Sequence, residues 1–215
     1  MKVILIAAKQ LDLAKTRLGA AVPAMDRRML AQAMFRDVLT AATASRRADL
    51  TAVVTSDPEL LEIARACGAT GIDEVHPRGL NAAVAFATTI LTRLGASELC
   101  TLLSDIPMIT GADIDEVFEA LDSIGAGVVL VPSRDFSGTN VIARSPADAI
   151  PTRFGRQSLV KHLEQCRARG IAAKVVRQAR PALDLDLPAD LIEFVRAGAP
   201  THTLNHLARL GIALN

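Results

Sequence analysis

Short apolar runs alternate with longer amphipathic blocks along almost the whole of this chain. Val3 to Ala8, Leu50 to Thr55, Leu99 to Leu103, Gly127 to Val131 and Ile171 to Arg177 read as strands, with a shorter one at Ile72 to Val75. Met25 to Ser45, Pro58 to Cys67, the block opening at Gly79, Thr110 to Leu121 and the block opening near Phe154 read as helices. Strands separated by helical blocks of roughly 10–15 residues predict an α/β fold, a mostly parallel sheet with helices on both faces. With 215 residues, half of them hydrophobic, the chain suits one domain over 1–215 with a sizeable core. No linker, repeat or low-complexity tract divides it.

The most informative stretch is Thr101 to Ile109, TLLSDIPMI. Its apolar run stops at Ser104 and Asp105 and then meets Pro107, as a buried parallel strand does at the carboxyl edge of its sheet. Open α/β sheets bind ligands at that edge, so Asp105 is placed to hold a metal ion. A turn or helix-cap aspartate is the alternative. A second acidic element, LDLDLPADL at 183–191, sets Asp184 and Asp186 two residues apart. In an extended segment both point to one side, where paired carboxylates are costly without a cation between them.

Basic residues answer these acids. KQLDLAKTRLG after the first strand puts Lys9, Lys15 and Arg17 in one loop at the same expected edge. Lys brings a mobile point charge and Arg a two-pronged donor, and both suit phosphate oxygens. Gly79-Leu80-Asn81 opens a helix whose free N–H groups could meet an anion, and Asn81 could cap that helix or read a base. Gly155 and Ser158 open another helix and could bind a second anion, Ser158 capping being the plainer alternative. His202 and His206 stand at helical i, i+4 spacing, but no third ligand or nearby Glu follows, so a zinc site is not expected.

Several classes are set aside. With no Trp or Tyr and a net charge of +1, neither base-stacking platforms nor a basic field for nucleic acid is expected. The opening MKVILIAAKQ is too short to span a membrane and reads as a first strand. Cys67, Cys100 and Cys166 are widely spaced, with no CxxC pair, and read as free thiols in a reducing compartment. A cytoplasmic protein is expected. GxGxxG and Walker A sequences are absent, which removes the main support for dehydrogenase and P-loop readings.

Taken together, KQLDLAKTRL, SDPELLEIARACGA, GLNAAV, LLSDIPMI, GTN, FGRQSLVKHL and DLDLPADL resemble, in order and over nearly the full length, the CofC/FbiD guanylyltransferases of deazaflavin (F-420) coenzyme biosynthesis. The resemblance implies a Rossmann-like nucleotide-diphospho-sugar transferase fold. It implies coupling of GTP to 2-phospho-L-lactate, phosphoenolpyruvate or 3-phospho-D-glycerate with release of diphosphate, the product passing to a downstream deazaflavin transferase. Asp105, Asp184 and Asp186 then match the family's magnesium aspartates. Thr139, Gly155 and Ser158, with Asn140 beside them, match positions that hold the acid. Lys15 and Arg17 match the basic loop near the triphosphate, with Lys9, Gly79 and Asn81 as further nucleotide contacts. Ser104 and Ile106 stand for the usual Ala and Leu, Leu187 for a usual Thr, and SRDFSG for a glycine-rich loop. AAKQ, where sugar-nucleotide transferases carry a glycine-rich loop, argues against a sugar phosphate.

Such a transfer needs no protein nucleophile, because the attacking phosphate is already ionised. Alignment and charge neutralisation do the work. The rivals are another nucleotidyltransferase of this fold, with a molybdopterin or sugar-phosphate acceptor, and a non-catalytic GTP-binding relative. A homodimer is compatible with the chain.

Overall fold

The computed structural model describes residues 1–19 and 22–211. Seven strands, β1 (Lys2–Ala7), β2 (Leu50–Thr55), β3 (Thr70–Asp73), β4 (Glu98–Leu103), β5 (Gly127–Pro132), β6 (Thr139–Ser145) and β7 (Ala172–Val175), form one sheet. The helices are α1 (Ala24–Thr43), α2 (Pro58–Ala66), α3 (Leu80–Arg93), α4 (Gly111–Ile124), α5 (Ser158–Ala168), the short α6 (Ala179–Ala182), α7 (Pro188–Ala197) and α8 (His202–Arg209). The basic loop after β1 winds through two 3-10 turns, Leu11–Leu13 and Thr16–Leu18.

The strand order is β3-β2-β1-β4-β6-β5-β7. The pairings β1–β2, β1–β4, β2–β3 and β5–β7 are parallel, and β6 runs antiparallel between β4 and β5. From β1 the chain steps outward through β2 and β3, then returns across β1 to β4. The order therefore reverses between β1 and β4, the crevice where doubly wound sheets bind ligands.

Side-chain alternation sorts the core into two layers. Ile4 and Ile6 of β1 join Leu102, Val129, Val141 and the helix residues Leu30, Phe118 and Phe194 on one face. Val3 and Leu5 join Val54, Leu130, Ile142 and the helix residues Val84, Leu91 and Leu159 on the other. A strand covered on both faces must be apolar at consecutive positions, which is why VILIA reads as an unbroken run. Each such side chain contributes roughly 1.5–3 kcal/mol of burial.

Two buried aspartates join elements by accepting backbone N–H groups. Asp37 of α1 accepts from His202 and Thr203 backbone N–H at 2.7 and 2.9 Å, capping α8 from another helix. Asp57 caps α2 through Glu59 and Leu60 N–H and also accepts Leu11 N–H at 2.9 Å, which fastens the basic loop to α2. Replacing Asp57 with alanine orphans these buried donors. A loss of roughly 2 kcal/mol and a fall of about 4–8 °C in melting temperature are expected by circular dichroism; a shift below about 1 °C would refute that role.

Two local expectations move. The third strand lies at Thr70–Asp73 rather than Ile72–Val75. Gly68, at φ 79°, ends α2 and turns the chain straight into the sheet, leaving Val75 exposed outside it. His206 is buried with a ring nitrogen 3.2 Å from the Asp26 carbonyl oxygen, while His202 is exposed.

Candidate active site

At the carboxyl edge of β1 and β4 lies a cleft of about 790 Å³. Asp105 stands just past β4, in a turn pinned by buried Ile106 and Ile109. The Asp105 carbonyl accepts the Leu185 N–H at 3.0 Å, and this bond lays the 183–187 segment against the strand end. Along that segment Leu183 and Leu185 are buried while Asp184 and Asp186 line the cleft. Asp190 at the start of α7 accepts Asp186 and Leu187 N–H and fixes the segment's far end.

Lys15 enters from the opposite wall. Its Nζ donates to Asp105 Oδ2 at 2.7 Å and to Asp186 Oδ1 at 2.8 Å, with 6% of the side chain exposed. The residue adopts φ 54°, a left-handed conformation that costs a non-glycine roughly 1 kcal/mol and persists where surroundings hold it. Phe136 and Gln157, the other described non-glycine residues with positive φ, sit in loops whose neighbours Asp135, Ser137, Arg156 and Ser158 also line the cleft.

The electrostatics separate the three carboxylates. Burial disfavours the Lys15 charge, but Asp105 and Asp186 more than restore it, so its pKa lies above the ordinary lysine value. Burial pushes Asp186 upward, yet Lys15, Arg17 and Lys9 hold it below the usual carboxylate value. Asp184 is raised, first by burial and then by Asp105, with the Asn140 hydrogen bond opposing only in part.

These groups suit a hard cation without already forming its cage. Among the described residues no three His, Cys, Asp or Glu side chains are spaced as a metal-ligand set, and the Lys15 ammonium bridges Asp105 and Asp186. Asp105 Oδ1 is buried with no hydrogen-bond partner. That orphaned oxygen, the insufficiently neutralised Asp184 and an all-oxygen donor set fit magnesium chemistry.

The far wall presents donors. Because β6 runs antiparallel, its first residue, Thr139, arrives at the same edge as the last residues of β4. Thr139 is buried and its hydroxyl meets His162 Nδ1 at 3.1 Å. Gly155, at φ 111°, takes a conformation closed to residues with a Cβ. Ser158 does not cap α5: Gln157 holds that position, and the buried Ser158 hydroxyl lines the cleft without a partner. Lys9 and Arg17 complete the basic side of the cleft. Arg17, 72% exposed and 3.5 Å from Asp186, is held only weakly.

Two expected contacts are placed differently. Gly79 and Asn81 are not among the lining residues, although Leu80 between them is. Asn81 neither caps α3 nor faces the cleft, since its amide exchanges hydrogen bonds with the Phe154 backbone at 2.8 and 3.1 Å. Asn140 lines the cleft, with its amide N–H groups directed at Pro181 O, Ala182 O and Asp184 Oδ1. It supports Asp184 rather than offering a free donor to an acid.

The profile of the family described as guanylyl transferase CofC like matches residues 1–215. The chain belongs to this family. A phosphoenolpyruvate guanylyltransferase of Sphaerobacter thermophilus is 37% identical over 89% of the chain and 91% of that protein. A 3-phospho-D-glycerate guanylyltransferase of Phenylobacterium zucineum is 34% identical over 92% and 91%. A solved Desulfovibrio desulfuricans structure, described as a nucleotide-diphospho-sugar transferase, superposes with a TM-score of 0.78 at 21% identity, covering 97% of this chain and 95% of that one. This CofC-like chain is thus a nucleotidyl-transferring enzyme on the expected fold. No described helix is long and apolar enough to cross a membrane.

Sequence reasoning missed two members of this CofC-like site. Arg156 lines the cleft beside Gly155, and its place in the FGRQS motif was the available signal. His162 touches Thr139 from α5 but carries no local signature, because a single histidine on a helix face reads as core.

Proposed function

We propose that this enzyme transfers the GMP moiety of GTP to a phosphorylated three-carbon acid in deazaflavin coenzyme biosynthesis, releasing diphosphate. A phosphate oxygen of the acid attacks the α-phosphorus of GTP. The new P–O bond forms as the α–β bridge bond breaks, and diphosphate leaves with the bridging oxygen. The observation carrying this reading is one cleft with carboxylates on one wall and cations and spare hydroxyl donors facing them.

Asp105, Asp184 and Asp186 would hold magnesium, which when bound supplies Lewis-acid stabilisation of charge on the phosphates. Lys15 stays charged at neutral pH and aligns Asp105 with Asp186. Arg17 and Lys9, weakly held, are free to turn toward the departing diphosphate. Thr139, Ser158 and the backbone at Gly155 orient the acid, so that attack is favoured by position rather than by a protein base.

The acid is left among phosphoenolpyruvate, 3-phospho-D-glycerate and 2-phospho-L-lactate. Relatives bearing the first two names differ by only a few per cent in identity to this chain, so overall likeness does not choose. The test is incubation with GTP, magnesium and each acid, followed by product mass after adding the deazaflavin alcohol acceptor and its transferase. Diphosphate release with GTP and one acid is expected. Release with none of the three, or equal release with CTP, would overturn the proposal.

A further inference from the structure

His162 is fully buried on α5 and has no role of its own in the proposed chemistry. Its two ring nitrogens have different partners. The Arg153 backbone N–H points at Nε2 from 2.8 Å, and the Thr139 hydroxyl lies 3.1 Å from Nδ1. A backbone N–H can only donate, so Nε2 must be the unprotonated acceptor. A neutral imidazole then carries its proton on Nδ1. Burial, helped by Arg144 and Lys161, lowers the His162 pKa to about 4, so the ring is neutral at working pH.

The consequence falls on Thr139. With Nδ1–H donating, the Thr139 oxygen is an acceptor in that bond, and its own proton must point elsewhere. Thr139 is buried and lines the cleft, and its hydroxyl has no other hydrogen-bond partner among the described residues. The opposite tautomer would turn the hydroxyl proton toward His162 and leave lone pairs facing an anion. The Phe154 ring, edge-on to His162 at 5.7 Å, limits rotation of the imidazole.

We infer that His162 is a positioning residue whose Nδ1–H, fixed by the Arg153 backbone, turns the Thr139 hydroxyl into a hydrogen-bond donor for an anionic oxygen of the acid substrate. This role rests on the cleft being the acid's site. The Ser158 hydroxyl, buried without a partner, offers a second donor that needs no such control.

Two variants divide the contacts of the imidazole. In His162→Asn the amide nitrogen reaches the region of Nδ1 and can still donate to Thr139. In His162→Gln the amide oxygen reaches the region of Nε2, accepts from Arg153, and leaves Thr139 without its donor. His162→Gln is expected to raise KM for the acid about tenfold, with KM for GTP unchanged, and His162→Asn to recover most of that loss. In a Thr139→Val background the Gln substitution should add nothing, since the group it acts through is gone. Wild-type acid KM in His162→Gln, or equal impairment in both variants, would overturn the inference.

The tautomer can be read without any variant folding well. Long-range proton–nitrogen correlation spectra of the labelled, ligand-free wild-type protein resolve its four histidines. A Nδ1–H pattern for His162 is expected; Nε2–H or a protonated ring at neutral pH would overturn the inference. Should wild-type protein release no diphosphate with any acid, the function falls, while the spectrum still decides the histidine's role.

Discussion

Asp105→Asn should lower turnover by roughly 10²–10³-fold while leaving the protein folded. The substitution is nearly isosteric, and Lys15 keeps its 2.8 Å contact with Asp186, so no buried ammonium is stranded. What disappears is one negative charge at the end of β4 and the orphaned Oδ1 as an anionic donor. Removing it also relieves Asp184, whose raised pKa owes its second contribution to Asp105. Against that gain stands the loss of the 2.7 Å ion pair with the buried Lys15 ammonium, so the asparagine protein should melt at or slightly below the wild-type temperature. Steady-state diphosphate release at saturating GTP and acid, set beside a thermal melt, separates the two effects. Turnover within about threefold of wild type in a folded protein would remove Asp105 from the chemistry.

Why Asp105, Asp184 and Asp186 were legible and other residues were not is a matter of range. The turn after LLSDIP and the alternation in LDLDL are local patterns, and local sterics place them whatever the rest of the chain does. Thr139 needed the direction of β6. That direction was in principle readable: the Ser133–Gly138 link between β5 and β6 is too short for a crossover, so the pair had to be an antiparallel hairpin. Asn81 was harder to place because an asparagine near a helix start has a ready local explanation, and Asn140 was named through the family resemblance alone. Their actual partners, Phe154 and the 181–184 segment, are far off in sequence. The Lys15 bridge between Asp105 and Asp186 has the same character. Opposite charges could be expected at one edge, but not that the lysine would occupy the space between two proposed ligands. The ammonium pairs with Asp105 and Asp186 and leaves Asp184 as the carboxylate with least compensation. Asp184 is thus where the demands of charge and of stability diverge most.

Asp184→Asn should inactivate the enzyme and stabilise it at once. Burial and then Asp105 raise the Asp184 pKa above the value it has in an unfolded chain. For a carboxylate shifted in that direction, folding favours the protonated form. Its cost is absent below the unfolded pKa of about 3.9 and grows as pH rises through the folded value. At neutral pH the full cost is present, and asparagine removes it while keeping an oxygen to accept from Asn140. With a chelator present, the variant's melting temperature should exceed wild type by roughly 2 °C or more at pH 7, and the difference should vanish as pH falls below the ordinary carboxylate range. Magnesium should then reverse the order, stabilising wild type by mass action and the variant far less. Turnover should fall by about 10²-fold, since the charge that destabilises the empty cleft is the one that grips the cation. A variant less stable than wild type in chelator at pH 7, or equally stabilised by magnesium, would show that Asp184 serves the fold and not the metal.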